Sequence, residues 1–265
     1  MKRYETILWD VDGTLLNFLK SQEFALKKAF SDYRLTITQD TVSLYSGIND
    51  SYWKRLELGE ITKGEVLYGR FESLFQMLLE KTKTEQELLS RWFCQSSEGS
   101  EQDAVFLKIE SIPIKEFQQA YQTYLGSVYF YQDDSLGLCK KLQKDFQQYI
   151  VTNGVEWTQR NKLQLAGFNE LMDDIFISEV IGVPKPDKRF FEACFSQIPD
   201  FSREKSIIIG DSLTSDMAGG NQAQIATCWY NPGNLPKKGD VRIDYEIRNL
   251  WEVENILWQN HQIKN

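Results

Sequence analysis

The stretch KSIIIGDSLTSDMAGGNQAQIATCWY, residues 205–230, decides the fold. Its run of isoleucines ends in Gly210-Asp211, the pattern of a strand buried on both faces. SDMAGGNQA (215–223), opened by Ser and Asp, predicts a helix, and IATCWY (225–230) predicts a second strand. The same rhythm extends backwards. KPDKRFFEACFSQI (185–198) has Pro186 where a helix start tolerates it, then Phe190, Phe191, Cys194 and Phe195 on one face. DIFIS (174–178) is a short strand, WTQRNKLQLAG (157–167) a helix stopped by Gly167, and QQYIVTNG (147–154) a β-branched run ending in a turn. DYEI (244–247) predicts a last short strand, and residues 4–10 a first one in the same sheet. Strands and helices in alternation imply an α/β, Rossmann-like core, a parallel sheet covered on both sides. Asp10, Thr152 and Asp211 then end strands, where open sheets of this kind place ligands.

Composition narrows what such a core can do. The chain has 265 residues, 42% hydrophobic and 26% charged, an ordinary globular composition with enough length to bury a core. A formal net charge of −8 provides no basic footprint, so no nucleic-acid polymer is expected as a partner. A protein this acidic that handles phosphate needs a local positive charge or a metal. Cys94, Cys139, Cys194 and Cys228 are scattered without metal-ligand or redox-motif spacing, which predicts a reducing compartment. The apolar runs are too short to span a membrane, and Asp10 interrupts the first of them too early for a signal peptide. The expected location is the cytoplasm. The one histidine, His261, falls in a polar tail and is expected to be solvated. A Ser-His-Asp triad, a Cys-His pair and a His-built zinc site are thereby excluded, and catalysis must rest on carboxylates, Lys, Thr or Ser.

Between the first strand and YIVTNG lie more than a hundred residues with little strand signal. SQEFALKKAFSDY (21–33) predicts a helix with Phe24, Ala25, the Lys28 stem, Ala29 and Tyr33 in register. GRFESLFQMLLEK (69–81) carries Phe71, Leu74, Phe75 and Leu78 at helical spacing, and EFQQAYQTYL (116–125) carries Phe117, Ala120, Tyr121 and Tyr124. This is a helical insert with hinges near 16–20 and 126–133, so residues 1–17 and 130–265 form the core domain and 18–129 a second domain. QSSEGSEQD (95–103) is its one low-complexity patch and predicts a mobile loop.

ILWDVDGTLL (7–16) places Asp10 and Asp12 at the end of the first strand, before Gly13. A turn needs one Asp at most. Asp10 as a nucleophile would attack phosphorus and form an aspartyl-phosphate. An anion attacking an anion needs its charge offset, which Mg²⁺ does with one or two carboxylates and substrate oxygens. Asp211 is the second carboxylate, and Asp216, at the following helix start, ligates the metal or orients its waters. Lys185 neutralises the phosphate and the nucleophile together, while the Thr152 hydroxyl and the Asn153 amide bind a phosphate oxygen. Asp12 serves as acid and then base, its pKa raised by nearby carboxylates. Enzymes accelerate monoester hydrolysis by up to about 10²¹, more than any single donor supplies. Singly, Asp12-Gly13 is a turn, Lys185 a solvated lysine, Thr152-Asn153-Gly154 a strand-ending turn, and Asp211 and Asp216 helix caps. Together, in this order and each at an element's end, they make one site.

DVDGT, TNG after an apolar strand, KPD before a helix and GDSLTSD after another resemble the four motifs of the haloacid dehalogenase-like (HAD) phosphohydrolase superfamily. The resemblance implies a Mg²⁺-dependent aspartyl-phosphate mechanism and a mobile cap, and the insert matches the helical type of cap. By position Asp10 is similar to the family's nucleophile and Asp12 to its acid/base, with the Asp12 main-chain carbonyl also on the metal. Thr152 corresponds to the phosphate-binding hydroxyl, Lys185 to the charge-stabilising lysine, and Asp211 to a metal ligand with Asp216 beside it. True haloacid dehalogenases lack an acid at the position of Asp12, so its presence argues for phosphate esters. YIVTNGVEWTQ, FISEVIGVPKPDKRFFEACF, IIIGDSLTSDMAGGNQAQIATCWYNP and YEIRNL resemble the pyrimidine 5′-nucleotidases of this superfamily, as do SQEFALKKAF and WKRLELGEIT. Residues 82–112 do not fit that group. The resemblance implies a nucleoside monophosphate as substrate.

A phosphatase of sugar phosphates or phosphoglycolate, with the same core and another cap, is the alternative. A sugar-phosphate mutase lacks support because nothing in the insert suggests a second phosphate clamp. A non-catalytic relative need not keep all of Asp10, Asp12, Thr152, Lys185 and Asp211. Caps of this kind close over the leaving group. Tyr45, Tyr52, Trp53 and Tyr68 are candidates to stack on a base, and equally to pack between helices.

Overall fold

The structure is a computed structural model that describes residues 1–84, 89–94 and 108–258. The expected mobile loop at 95–103 and the tail histidine His261 lie outside the described residues. The chain divides into two compact units, Met1–Phe18 with Tyr129–Asn265, and Leu19–Val128.

The first unit is built on a six-stranded sheet. Its strands are β1 (Thr6–Trp9), β2 (Gln147–Thr152), β3 (Asp174–Ile177), β4 (Ser206–Gly210), β5 (Ala226–Tyr230) and β6 (Tyr245–Ile247). They lie in the order β3-β2-β1-β4-β5-β6 and every pairing is parallel. The order reverses direction at β1 and β4, where the chain has run outward on one side and returns on the other, and ligands of open α/β sheets bind outside the strand ends at such a point. Both faces are buried, as the unbroken isoleucine run requires. Ile207 and Ile209 join one apolar cluster with Ile7, Trp9 and Ile150, while Ile208 joins the opposite one with Leu8, Val151 and Phe190. The polar Trp9 Nε1 finds its partner inside the core, donating to Gln148 Oε1 at 3.0 Å.

Several boundaries differ from expectation. The helix expected from 185 begins at Lys188, because the Asp187 side chain caps it by accepting from the Arg189 amide. The helix expected over 215–223 is split into a π-turn, Leu213–Met217, and a helix, Ala218–Ala223. The helix Ser135–Leu142 was not anticipated. Its N-cap, Asp134, adopts left-handed geometry at φ 53° and accepts from the Gly137 amide, a device with no clear mark in sequence. The segment that precedes the insert and the one that follows it run side by side, since Asn17 N donates to Phe130 O at 2.8 Å and Gln132 N to Leu15 O at 3.1 Å.

The second unit is helical, with helices Gln39–Glu57, Lys63–Thr84, Leu89–Trp92 and Ile114–Gly126 beside the one that starts at Phe18 and ends at Ser31. Its centre is aromatic. Phe117 lies 4.9 Å from Phe30, 5.3 Å from Phe71 and 5.0 Å from Phe75 between ring centres, all edge-on. Phe71, Leu74, Phe75 and Leu78 are buried as their spacing predicts. The first helix turns a different face inward. Ala25, Leu26, Ala29 and Phe30 are buried, Phe24 and Tyr33 are half-buried and Lys28 is exposed, and it is Phe30 that enters the aromatic centre. Tyr45 is wholly buried and stacked on Phe71 at 5.2 Å, so it packs the unit's interior and is not presented to a base. Tyr52 and Trp53 are half-buried, Tyr52 with its hydroxyl 2.9 Å from Ser73 Oγ, and Tyr68 is exposed.

Candidate active site

The carboxyl ends of β1 and β4 lie next to each other, and the first residues past them are Asp10 and Asp211. Asp10 continues the ladder by donating its amide to Ile209 O at 3.0 Å. After β4 the chain enters the π-turn, where the Ser212 hydroxyl accepts from the Ser215 amide and the turn delivers Asp216 back onto the strand end. Single π-turns of this kind concentrate at functional sites. Carboxylate oxygens of Asp10, Asp211 and Asp216 all come within 4.8 Å of one another.

Two glycines make this approach possible. A Cβ on Gly210 would stand 2.2 Å from Asp216 Oδ2. A Cβ on Gly13 would stand 2.4 Å from Asp211 Oδ2, and Gly13 also has φ +97°, a conformation L side chains rarely adopt. The Asp-Gly turn after β1 is therefore set by its neighbour across the sheet as well as by local turn chemistry.

Lys185 is the buried cation of the group. Its Nζ donates to Asp10 Oδ1 at 2.8 Å, to Asp216 Oδ1 at 2.7 Å and to Val151 O at 2.7 Å, which uses all its protons. Burial alone would lower its pKa, but the Asp10 and Asp216 carboxylates overcome this and raise it. Burial pushes the Asp10 carboxyl from an ordinary 3.8 up to about 7; Lys185 opposes the rise, and the charges of Asp216 and Asp12 add to it. Asp211 keeps access to solvent on one side, yet the surrounding protein and the charges of Asp10 and Asp216 hold its carboxyl well above the usual range. Its contacts are lighter, with the Thr14 hydroxyl 3.5 Å from Oδ1 and its carbonyl accepting from Trp229 Nε1 at 2.9 Å.

The other expected residues fall around this group. Thr152 ends β2, and its hydroxyl oxygen accepts from Gln159 Nε2 at 3.0 Å. The Asn153 side chain is engaged with the Lys185 main chain, Nδ2 donating to Lys185 O at 2.9 Å and Oδ1 accepting from Lys185 N at 2.8 Å. These bonds fix the loop that carries the lysine. Asp12 lies in the turn after β1, outside the group of three but near enough for its charge to add to the rise of the Asp10 carboxyl. It accepts from Gln159 Nε2 at 2.7 Å and forms a half-buried ion pair with the buried ammonium of Lys162. An amide and an ammonium thus hold the Asp12 carboxylate, beside the Asp10 carboxyl that feels its charge. Gln159 and Lys162 went unnoticed in sequence because a Gln and a Lys on a helix of mixed polarity carry no signal; the only hint is that they stand one helical turn apart.

A parallel sheet here carries clustered carboxylates and a buried lysine at the carboxyl ends of its central strands, the place where open α/β sheets bind ligands. The chain belongs to the haloacid dehalogenase-like hydrolase family, which matches it over residues 4–224, and is a phosphohydrolase of that family. It is 37% identical to the HAD-hydrolase YfnB of Bacillus subtilis over 97% of both chains. The crystal structure of YfnB bound to magnesium superposes with a TM-score of 0.78, covering 97% of this chain and 99% of that one. The pyrimidine 5′-nucleotidases PynA of Streptococcus pneumoniae and YjjG of Escherichia coli are 32% and 24% identical, over 97% and 96% of this chain and 96% and 98% of theirs. Among the described residues no helix is long and apolar enough to cross a membrane.

Proposed function

We infer that the protein is a Mg²⁺-dependent phosphomonoesterase that forms a phosphoryl ester on Asp10 and takes nucleoside 5′-monophosphates, pyrimidine ones first. The observation that carries this reading is the meeting of Asp10, Asp211 and Asp216 within 4.8 Å beside the Lys185 ammonium. Three carboxylate oxygens suit a hard divalent cation. The raised carboxyls of Asp10 and Asp211 also fit one, because burial and then neighbouring negative charges raise them, and a bound cation offsets both. Asp10, Asp211, Asp216 and the Asp12 main-chain carbonyl would hold Mg²⁺, which supplies the charge that lets one anion approach another.

Every other task falls to the chain. Lys185 fixes the Asp10 oxygen it bonds and offsets its charge, leaving the second oxygen to attack phosphorus. Thr152 Oγ1 accepts from Gln159, so its own O–H is left to donate to a phosphate oxygen together with the Asn153 amide. Asp12 gives its proton to the departing ester oxygen as the P–O bond breaks. It then takes a proton from the water that attacks the phosphoryl ester on Asp10. Residues 18–129 are read as the cap that selects the leaving group. The nucleotide preference is supported by the names of PynA and YjjG, which the chain matches along nearly its whole length.

The test is a panel of phosphate monoesters with Mg²⁺. Uridine, thymidine and cytidine monophosphates should head the ranking by kcat/KM. A clear preference for sugar phosphates or phosphoglycolate would transfer the reading to the alternative substrate class, and no turnover of any ester would end it.

A further inference from the structure

Lys162 lies within the helix Glu156–Leu165 with its side chain only 1% exposed. A buried ammonium is tolerated where an opposite charge meets it. That charge is Asp12, whose side chain is 24% exposed. Gln159, one turn earlier on the same helix, donates from a single nitrogen to Asp12 Oδ2 at 2.7 Å and to Thr152 Oγ1 at 3.0 Å. Asp12 itself sits in the turn after β1, outside any strand. Its carboxylate is therefore oriented by one helix face, which also ties it to the end of β2.

We propose that Lys162, assisted by Gln159, is a positioning residue that aims the Asp12 carboxyl group at the leaving oxygen of the substrate. The proposal rests on the phosphatase reading above. In the step concerned an Asp10 carboxylate oxygen bonds to phosphorus as the bond from phosphorus to the ester oxygen breaks; the electron pair of the broken bond goes to the ester oxygen, and the Asp12 proton joins it to give the free alcohol. An alkoxide departs poorly without that proton, whereas a stabilised phenolate departs without help. Loss of aim should consequently be felt by alkyl esters and hardly by aryl ones.

The experiment compares Lys162→Met, Asp12→Asn and the double variant on a nucleoside 5′-monophosphate and on p-nitrophenyl phosphate. It reads kcat/KM, which reports the steps through alcohol release. Lys162→Met should lose about 100-fold on the nucleotide and less than about 5-fold on the aryl ester. Asp12→Asn should show the same split, and the double variant should be no slower than Asp12→Asn alone. Equal losses on both esters, or a double variant slower than Asp12→Asn, would overturn the assignment. Melting temperature gives a second reading that needs no activity. Asp12→Asn strands a buried ammonium and should lower Tm by roughly 5–10 °C, while Lys162→Met leaves a carboxylate that still meets water and should restore most of the loss in the double variant. No drop in Asp12→Asn, or no restoration, would overturn the pairing. Wild-type protein inert toward both esters would instead bring down the phosphatase reading and the kinetic role with it, while the melting cycle would still decide the pairing.

Discussion

Replacing Asp10 by Asn should abolish turnover and, without metal, make the protein more stable. Asp10, Asp211 and Asp216 face the single ammonium of Lys185, so full ionisation leaves a net 3 − 1 = 2 negative charges in one pocket. Burial, with the charges of Asp216 and Asp12 against that of Lys185, lifts the Asp10 carboxyl from 3.8 to about 7. At about 1.4 kcal/mol per pH unit, a rise of about 3 units corresponds to at most about 4 kcal/mol. Asp211 is also raised, by its own burial and by the charges of Asp10 and Asp216, so the two titrate together and roughly half of that, about 2 kcal/mol, is assigned to Asp10 alone. The sign follows from proton binding. The folded state keeps a proton that the unfolded chain releases, so stability falls as pH rises from about 4 to about 7 and is level above that. Asn does not titrate, keeps the shape of Asp, and still offers Oδ1 to Lys185. The advantage of Asp10→Asn should open across that window and reach roughly 4–8 °C in Tm by pH 8. The assay is thermal unfolding of both proteins in EDTA at several pH values from 5 to 8. A variant less stable than wild type at pH 8, or an advantage that does not change with pH, would refute the electrostatic account of the pocket.

Two further outcomes are expected. EDTA should silence the enzyme and Mg²⁺ restore it; Mg²⁺ at 100 times its Kd should also stabilise the wild type by about 2.7 kcal/mol, read as a rise in Tm that Asp211→Asn lacks. Gly13→Ala should lower both Tm and activity, because its Cβ would stand 2.4 Å from Asp211 Oδ2 at a φ of +97°; the cost is about 1–3 kcal/mol, seen by chemical denaturation with Mg²⁺-dependent turnover followed in parallel.

What was readable in the sequence depended on how many neighbours a residue needs in order to reveal itself. The sheet was legible because a strand buried on both faces must be apolar throughout, and the isoleucines of β4 satisfy that without reference to any other element. Asp10, Thr152 and Asp211 were legible for a related reason, since a polar residue that ends such a run stands at the sheet's carboxyl edge whatever the connections. The helix Gln39–Glu57 was not, because Ser46-Gly47 and Asn49-Asp50 weaken its local preference and its buried positions are held by partners such as Phe71. Lys162 and Gln159 are the extreme case. On their own helix they look like solvent-facing residues, and they become part of the site only through Asp12, about 150 positions earlier in the chain. The same holds for Gly13, whose identity marks a turn in the sequence but whose further constraint is the Asp211 carboxylate that it must admit from a distant segment. A site of this kind is therefore half local and half long-range. The residues proposed to carry the chemistry are announced by the strand ends that bear them. Those that aim and neutralise them are chosen by the packing of segments far apart in sequence, so a lysine buried against an aspartate is found only once the fold has brought the two together.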